Sequence, residues 1–331
     1  MKKYLLFVFL LSAFVANSQT PHVSAYQAGA YQPGLLNLRD LATLDTPGLI
    51  FIDYNYWNNS NAYYDQFGDE VSDINLPNLN INLDLSPQVS GYVNVPVLFY
   101  ASDLKIAGGR YMASVAPSFL GSNFRMNIHV DETDRTVTST GNVGGFGDLA
   151  IMPLGLGWSF KDKVDLSFYY TFYAPTGKYE TGATDNVGRG YWTHQFQLPT
   201  YFYFMEKATA VLVMPTFEMN GVVKDSDVRA GNRLTIEYGI SQYLTSWLDI
   251  EILNGHNWQV GDDKGNDVWW RGTRLEARDQ TSTLSFGASV WPLEGKLQMR
   301  LKYSMDYGVK QRYKSNFLAL SAIFIPKTSN D

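Results

Sequence analysis

The sequence predicts an all-β fold, a transmembrane antiparallel β-barrel of about twelve strands with short periplasmic turns and long extracellular loops. Three observations predict it: a two-residue alternation of apolar and polar side chains, connections that are alternately short and long, and an excess of aromatic residues. The chain of 331 residues has 22 tyrosines, 19 phenylalanines and 8 tryptophans but only 18% charged residues. This composition is typical of strands that face lipid on one side and water on the other.

The alternation is clearest in LQMRLKYSMDY, residues 297–307, where Leu, Met and Tyr alternate strictly with Gln, Arg, Lys, Ser and Asp. Successive side chains of a strand point to opposite faces of a sheet, so one face is apolar and the other is charged. Residues 165–173, 234–242, 248–258 and 281–291 repeat the pattern. Because soluble β-sandwiches also alternate, the connections have to decide between the two folds.

The connections favour the barrel. Short turns at one rim and long polar loops at the other are typical of outer-membrane barrels, whose turns lie in the periplasm. After residue 18 no apolar stretch approaches the ~18 residues that a spanning helix needs, which excludes helical spans. The short turns are predicted at 161–163, 205–207, 245–246 and 294–296, and the long loops at 174–190, 222–232 and 260–280.

The register of these turns predicts twelve strands, with both termini in the periplasm. Two further outer loops are expected at 59–85 and 121–144, and the alternating run 75–85 predicts an extension of the second strand above the membrane. Residues 145–160 are apolar on both faces, so the pattern does not assign their orientation. Upward strands are predicted at 48–58, 108–120, 163–174, 208–221, 247–259 and 296–307, and downward strands at 86–100, 145–160, 191–204, 233–244, 280–292 and 315–325.

The N-terminal residues divide into two parts. Residues 1–18 have two lysines, an apolar run and the small residues Ala16 and Ser18, which predicts a secretory signal peptide. Residues 19–47 are expected either to hang in the periplasm or to plug the lumen, with residues 35–44 as a short helix. The barrel is expected at 48–325 and a C-terminal tail at 326–331. The chain has no cysteine, so no disulfide supports the fold.

Polar side chains are expected to line the interior of the barrel. A charge there must be paired or hydrated, so the set forms either a substrate path or a network in which Arg300 and Lys302 pair with acids across the lumen. Both interpretations stay open. Twelve strands enclose more room than the eight that side chains fill, which predicts a narrow, partly blocked lumen. The expected inward residues are Asp53, Asn55, Gln195, Gln197, Glu237, Asp249, Glu251, Arg300, Lys302 and Asp306.

Four tyrosines share the inward parity of two adjacent strands. An aromatic wall with hydroxyl tips suits a phenolic or other apolar cyclic ligand, because it offers ring contact together with a hydrogen bond. The alternative is that tyrosine is simply abundant in this chain. The four candidates for the substrate path are Tyr169, Tyr173, Tyr201 and Tyr203.

Other function classes have weaker support. Nucleic acid is excluded as a partner by the net charge of -6 and the absence of a Lys/Arg cluster. The four histidines are scattered, so no metal site, cofactor or catalytic residue is predicted. A lipid hydrolase on the outer wall is an alternative, because His256, Asn254 and Ser282 fall near the outer ends of adjacent strands and a serine nucleophile needs a neighbouring base. A structural or adhesive barrel without transport is another.

Two motifs resemble one family. GFGDLAIMPLGLGW (145–158) and FYAPTGKY (172–179) are similar to the G-x-GD…P…GW and Y-x-PTG-x-Y signatures of the outer-membrane family named for the MetA pathway of phenol degradation. The likeness extends over about residues 31–325. It implies a β-barrel transporter in the bacterial outer membrane, with outer-membrane lipid, lipopolysaccharide and a small hydrophobic solute as partners. It brings no catalytic residues to this chain.

Overall fold

Antiparallel strands make up nearly all the regular structure of the chain. The computed structural model describes residues 29–44, 46–76, 81–181, 183, 185–265, 278–293 and 296–326. The predicted signal peptide and residues 327–331 of the predicted tail lie outside this part of the chain. Within it, no helix is long and apolar enough to cross a membrane.

The wall is a closed antiparallel barrel of twelve strands, as predicted. It closes because β1 pairs with the last strand, β16, on one side and with β3 on the other. The strands are β1 (Gly48–Tyr64), β2 (Asp73–Leu76), β3 (Ile81–Ile106), β4 (Gly109–Ala116), β5 (Phe119–Val130), β6 (Arg135–Phe146), β7 (Leu149–Phe160), β8 (Val164–Ala174), β9 (Thr193–Gln197), β10 (Thr200–Phe204), β11 (Thr209–Asn220), β12 (Arg233–Thr245), β13 (Leu248–Gln259), β14 (Gln280–Val290), β15 (Leu297–Lys310) and β16 (Arg312–Phe324).

The two faces of β15 separate as the alternation predicts. Arg300 and Lys302 are 2% and 1% exposed, whereas Leu301 and Tyr303, on the other face, are 54% and 43% exposed. In a barrel this arrangement gives lipid the apolar row and leaves the charged row inside. The sequence pattern at 297–307 therefore reports the facing of the strand correctly.

The downward strand predicted at 191–204 is interrupted. It consists of β9 and β10, which both pair with β8 and with β11. The break lies at Leu198 and Pro199, since proline has no N–H to give to the ladder. Counting β9 and β10 as one broken strand, and leaving out β2, β5 and β6, which stand above the wall, gives its twelve strands.

The segment expected as a polar outer loop at 121–144 is a β-hairpin, so that prediction is wrong. Strands β5 and β6 pair over their full length, and β5 also pairs with residues 83–94 of β3. As predicted, the second strand of the wall, β3, extends above the membrane. It reaches Ile81, where β2 pairs with it. Nearly every residue of β6 is exposed. Because both faces of the hairpin are exposed to water, its sequence shows no apolar alternation.

A bulge at Pro153 explains why the orientation of 145–160 could not be assigned. The register of β7 against β8 shifts between Ile151 and Leu154. Met152 is buried on the lumen side, and a Cβ at Gly155 would lie 3.1 Å from lumen-facing Met112. Two lumen-facing positions three residues apart break the two-residue period, so no single parity describes this strand.

Asp53 and Asn55 face outward, contrary to prediction. Both share the exposed row of β1 with Phe51 and Trp57, and the inward row carries Tyr54. The carboxylate of Asp53 accepts hydrogen bonds from Asn55 at 2.8 Å and from Asn94 at 2.7 Å. Residue type predicts that the polar row faces inward, but in β1 the tyrosine row faces the lumen and the polar row forms its own hydrogen bonds on the outer wall.

Candidate functional site

Residues 29–44, named here the lumen segment, run through the barrel from the extracellular mouth to the periplasmic rim. At the mouth, Arg189 donates to the carbonyl of Gly29, and the Tyr31 amide donates to Glu218 at 2.9 Å. At the other end, the Thr43 hydroxyl lies 3.2 Å from that of Ser167, near the periplasmic start of β8. The segment therefore spans the height of the wall.

The lumen segment consists of turns, not the helix predicted at 35–44. Its few internal backbone bonds join residues three apart, such as Asp40 to Asn37 at 3.2 Å. The backbone bonds instead to the wall: Lys302 donates to the carbonyl of Leu36 at 2.6 Å, and the Leu38 amide donates to Glu251 at 3.0 Å. A helix would use these groups internally, so the wall contacts replace it.

Below Glu218, the upper part of the lumen segment is held by a second buried carboxylate, that of Glu237. Glu237 of β12 accepts a hydrogen bond from the Gly34 amide at 2.7 Å and another from the Tyr31 hydroxyl. Gly34 has φ +83, and a Cβ there would lie 2.6 Å from the Ser285 hydroxyl. Glycine is thus required both by the turn and by the close approach of the segment to the wall.

The middle of the lumen segment is held by a buried ion cluster around Arg300. The guanidinium lies 3.0 Å from Asp40 of the segment, 3.8 Å from Asp249 and 3.9 Å from Glu251. The Tyr54 hydroxyl also donates to Asp40, at 2.8 Å. Removing one member of a buried ion pair leaves an uncompensated charge, so this cluster both fixes the segment and depends on it.

The lower part is held by Arg39, which donates to the carbonyls of Lys207 at 3.0 Å and Ala208 at 2.9 Å in a periplasmic turn. Its guanidinium also lies 4.4 Å from the ring centroid of Tyr243. Bonds to two carbonyls and a ring face use the planar geometry that distinguishes arginine from lysine. The segment is therefore tied to the wall at three heights.

The eleven predicted path residues all face the lumen, and the structure divides them into two sets. Members of the first set contact the lumen segment: Tyr169 donates to the Leu41 carbonyl at 3.3 Å, and Tyr201 and Tyr203 lie in the apolar cluster that contains Leu38. Members of the second set bond other wall residues, as Tyr173 does to Gln195 at 3.2 Å. The first set is Tyr169, Tyr201, Tyr203, Glu237, Glu251, Arg300 and Lys302, and the second is Tyr173, Gln195, Gln197 and Asp306.

The opposite flank of the lumen is apolar and was not singled out by the sequence. Val93, Val95 and Val97 of β3 are half-buried and pack, with Ile52, against the cluster of inward tyrosines. The charged wall residues that bond the segment sit on β11, β12, β13 and β15, so the lumen has a charged side, bonded to the segment, and an apolar side. The sequence feature that indicates this apolar side is the alternation of valines in residues 93–97.

On the outer wall, the structure brings together the Ser–His pair of the hydrolase alternative. The Ser282 hydroxyl lies 2.7 Å from Nδ1 of His256. Among the residues that the structure describes, no group of three or more His, Asp or Glu could hold a metal ion.

Comparison with known families decides the relationship. The family described as "Putative MetA-pathway of phenol degradation" matches residues 61–322. The chain belongs to this family. The resemblance inferred from residues 145–158 and 172–179 is thereby confirmed. A search of curated proteins found no match.

Solved structures similar to this MetA-pathway family protein are outer-membrane barrels. The COG4313 outer membrane channel from Pseudomonas putida F1 aligns with a TM-score of 0.64 and 18% identity, covering 89% of this chain and all of that one. The translocator domain of the autotransporter NalP from Neisseria meningitidis has a TM-score of 0.47 and 10% identity, covering 87% and 91%. A Pseudomonas aeruginosa FadL homologue has a TM-score of 0.42 and 10% identity, covering 87% and 92%. The shared fold and the apolar outer wall agree with the predicted location in the bacterial outer membrane.

Proposed function

We propose that this protein is an outer-membrane channel for the passive uptake of small hydrophobic or aromatic molecules. The observation that carries the proposal is the two-sided lumen, in which the lumen segment neutralises the charged side and leaves an apolar flank beside it. The channel role of the Pseudomonas putida neighbour supports the same function.

The charged side is unsuited to carry ions or sugars in the plugged state. Arg300 and Lys302 are almost fully buried and bond to Asp40 and to the Leu36 carbonyl of the segment. Groups already paired in a low-dielectric interior give no binding energy to a passing solute. Polar solutes are therefore excluded while the segment is in place.

The apolar flank suits a hydrophobic solute. Val93, Val95 and Val97 alternate along β3 and, like Leu35 and Leu36 of the lumen segment, pack against the tyrosine cluster. A solute that moves along the valines and leucines exchanges one apolar contact for another, so the free-energy barriers to its movement are low. Tyr169, Tyr173, Tyr201 and Tyr203 then form the aromatic part of the path and offer ring contacts to an aromatic solute.

A carboxylate placed on this flank is expected to block uptake. In Val95→Asp, an apolar solute must pass a charge that holds water, so uptake of phenol and naphthalene by intact cells lacking the native gene should fall sharply, by about tenfold for a penalty of ~1.4 kcal/mol. Val137→Asp, the same change on the exposed β6, should leave uptake at the level of the unmodified protein.

An unchanged rate in Val95→Asp, with the variant folded and present at normal levels, would refute the proposed path. In that case a structural or adhesive barrel becomes the better account, and cells that lack the gene should then take up phenol and naphthalene as fast as cells that carry it.

A further inference from the structure

A cluster of polar side chains faces outward near the extracellular end of β12 to β15. It comprises Tyr238, Asn254, His256, Ser282 and Tyr307, and is named here the outer-wall cluster. The same face below it is apolar: Ile240, Ile252 and Phe286 are exposed. Polar groups on a lipid-facing wall cost free energy unless they bond, so a cluster of five invites a functional explanation.

The strand register brings the nucleophile and the base together. Ser282 of β14 lies directly opposite His256 of β13, and their Oγ and Nδ1 atoms are 2.7 Å apart. The far nitrogen of the imidazole, Nε2, lies 3.1 Å from the side-chain amide of Asn254 and 3.2 Å from the Tyr238 hydroxyl. A hydroxyl, an imidazole and an orienting amide in series form the arrangement that activates serine for acyl transfer.

The tautomer that this chemistry needs is compatible with the bonds around Asn254. A base at Nδ1 requires the proton on Nε2, which the Asn254 carbonyl oxygen accepts when the amide is turned over, and amide oxygen and nitrogen are interchangeable in shape. The Tyr307 hydroxyl, now donating to Asn254 at 2.7 Å, then accepts from it. The Tyr238 hydroxyl reverses its role in the same way, so every group keeps a partner.

A bulge lies beside the Ser282 hydroxyl. The register of β14 against β15 shifts between Gln280 and Ser282. Opposite the shift, Gly308 has φ +58, and a Cβ there would lie 3.4 Å from the Ser282 Oγ. A bulge leaves a residue unpaired in the ladder, and a backbone N–H at this point of β15 would be the donor for an oxyanion formed next to Ser282.

We propose that the outer-wall cluster is a second functional site, which hydrolyses fatty acyl esters of lipids in the outer leaflet. The ring of Trp258, stacked on His256 with centroids 5.5 Å apart, marks the aromatic level at which lipid ester groups meet water. This activity is independent of the channel, because the cluster faces away from the lumen.

The reaction proceeds in two balanced steps. Ser282 Oγ attacks the ester carbonyl carbon while His256 takes the hydroxyl proton; the ester C–O bond then breaks, and the leaving alcohol takes that proton from His256. Water next attacks the acyl-serine, giving its proton to His256, and the bond to Ser282 breaks to release a fatty acid and restore the serine hydroxyl. Water at the interface is the only co-reactant.

The test uses a fluorophosphonate probe and a long-chain p-nitrophenyl ester on the full-length protein folded in detergent. The unmodified protein should carry the phosphonyl group on Ser282 by peptide mass spectrometry and should hydrolyse the ester. Ser282→Ala and His256→Ala should each lower hydrolysis by at least about 100-fold, and Asn254→Ala should lower it less. Ser139→Ala, an exposed serine on β6, should change neither readout.

Vesicles of diacyl phosphatidylcholine and micelles of lipopolysaccharide, compared by release of fatty acid, separate the two sources of acyl ester. Folding of each variant is checked by heat-modifiable mobility in gels. Absence of labelling in folded, unmodified protein would overturn the proposal, as would hydrolysis that persists in folded Ser282→Ala.

Discussion

Deleting residues 29–44 is expected to turn a closed lumen into a conducting one. The lumen segment occupies the barrel from Glu218 at the mouth to Ser167 at the periplasmic rim. Without it, Glu237, Glu251, Arg300 and Lys302 face an aqueous channel, and twelve strands are too many for their own side chains to fill the interior. In planar bilayers the unmodified protein should give a flat baseline, and the deletion variant stepwise, salt-dependent currents.

A synthetic peptide of residues 29–44 provides the control for this deletion. Added to the conducting variant, it should reduce the current, because the wall partners of the segment are still present. A peptide in which Asp40 is replaced by Lys should fail, since it places a cation beside Arg300. If the correctly folded deletion variant carries no more current than the unmodified protein, the segment is not what closes the lumen.

Replacing Arg300 is expected to cause the largest loss of stability of any single substitution in the lumen. In Arg300→Met the carboxylates of Asp40, Asp249 and Glu251 lose the cation that lies within 4 Å of each. Removing one partner from a buried ionic group costs about 3–5 kcal/mol. The free energy of unfolding, measured by tryptophan fluorescence in urea with lipid vesicles, should fall by that amount.

Two further variants provide a control and a coupling test for Arg300→Met. Lys161→Ala, at an exposed periplasmic turn, should leave the free energy of unfolding unchanged. Asp40→Asn combined with Arg300→Met should lose less than the sum of the single changes, because the two residues share one interaction. Additive losses would mean that Asp40 and Arg300 act separately, contrary to the contact between them.

The sequence is sufficient to predict the strands of the wall but not the path of the lumen segment inside it. The period of two along β15 identifies its facing, because lipid favours an apolar row outside, although the strand runs three residues beyond the predicted end, to Lys310. The lumen segment has no such constraint. Its principal ion pair joins Asp40 to Arg300, 260 residues away, and neither residue carries a local signal that identifies the other.

The errors have the same origin. Asp53 was expected inside because it is charged, but its partners Asn55 and Asn94 satisfy it on the outer face, where the parity of β1 places it. Tyrosine is suited to either face, so Tyr54 gave no indication of its lumen contact with Asp40. The sequence pattern predicts a loop where the β5–β6 hairpin stands, because a strand exposed to water on both sides has no apolar period.

The placement of the lumen segment is tested most directly by engineered disulfides, since the chain has no cysteine of its own. The side-chain hydroxyls of Thr43 and Ser167 lie 3.2 Å apart, and the side-chain amide of Asn37 donates to the Ser321 hydroxyl at 3.1 Å. Thr43→Cys with Ser167→Cys, and Asn37→Cys with Ser321→Cys, should each form an intramolecular disulfide on mild oxidation in intact outer membranes, whereas Thr43→Cys with Ser139→Cys should not. Failure of both predicted pairs to link in folded protein would contradict a segment that passes through the barrel.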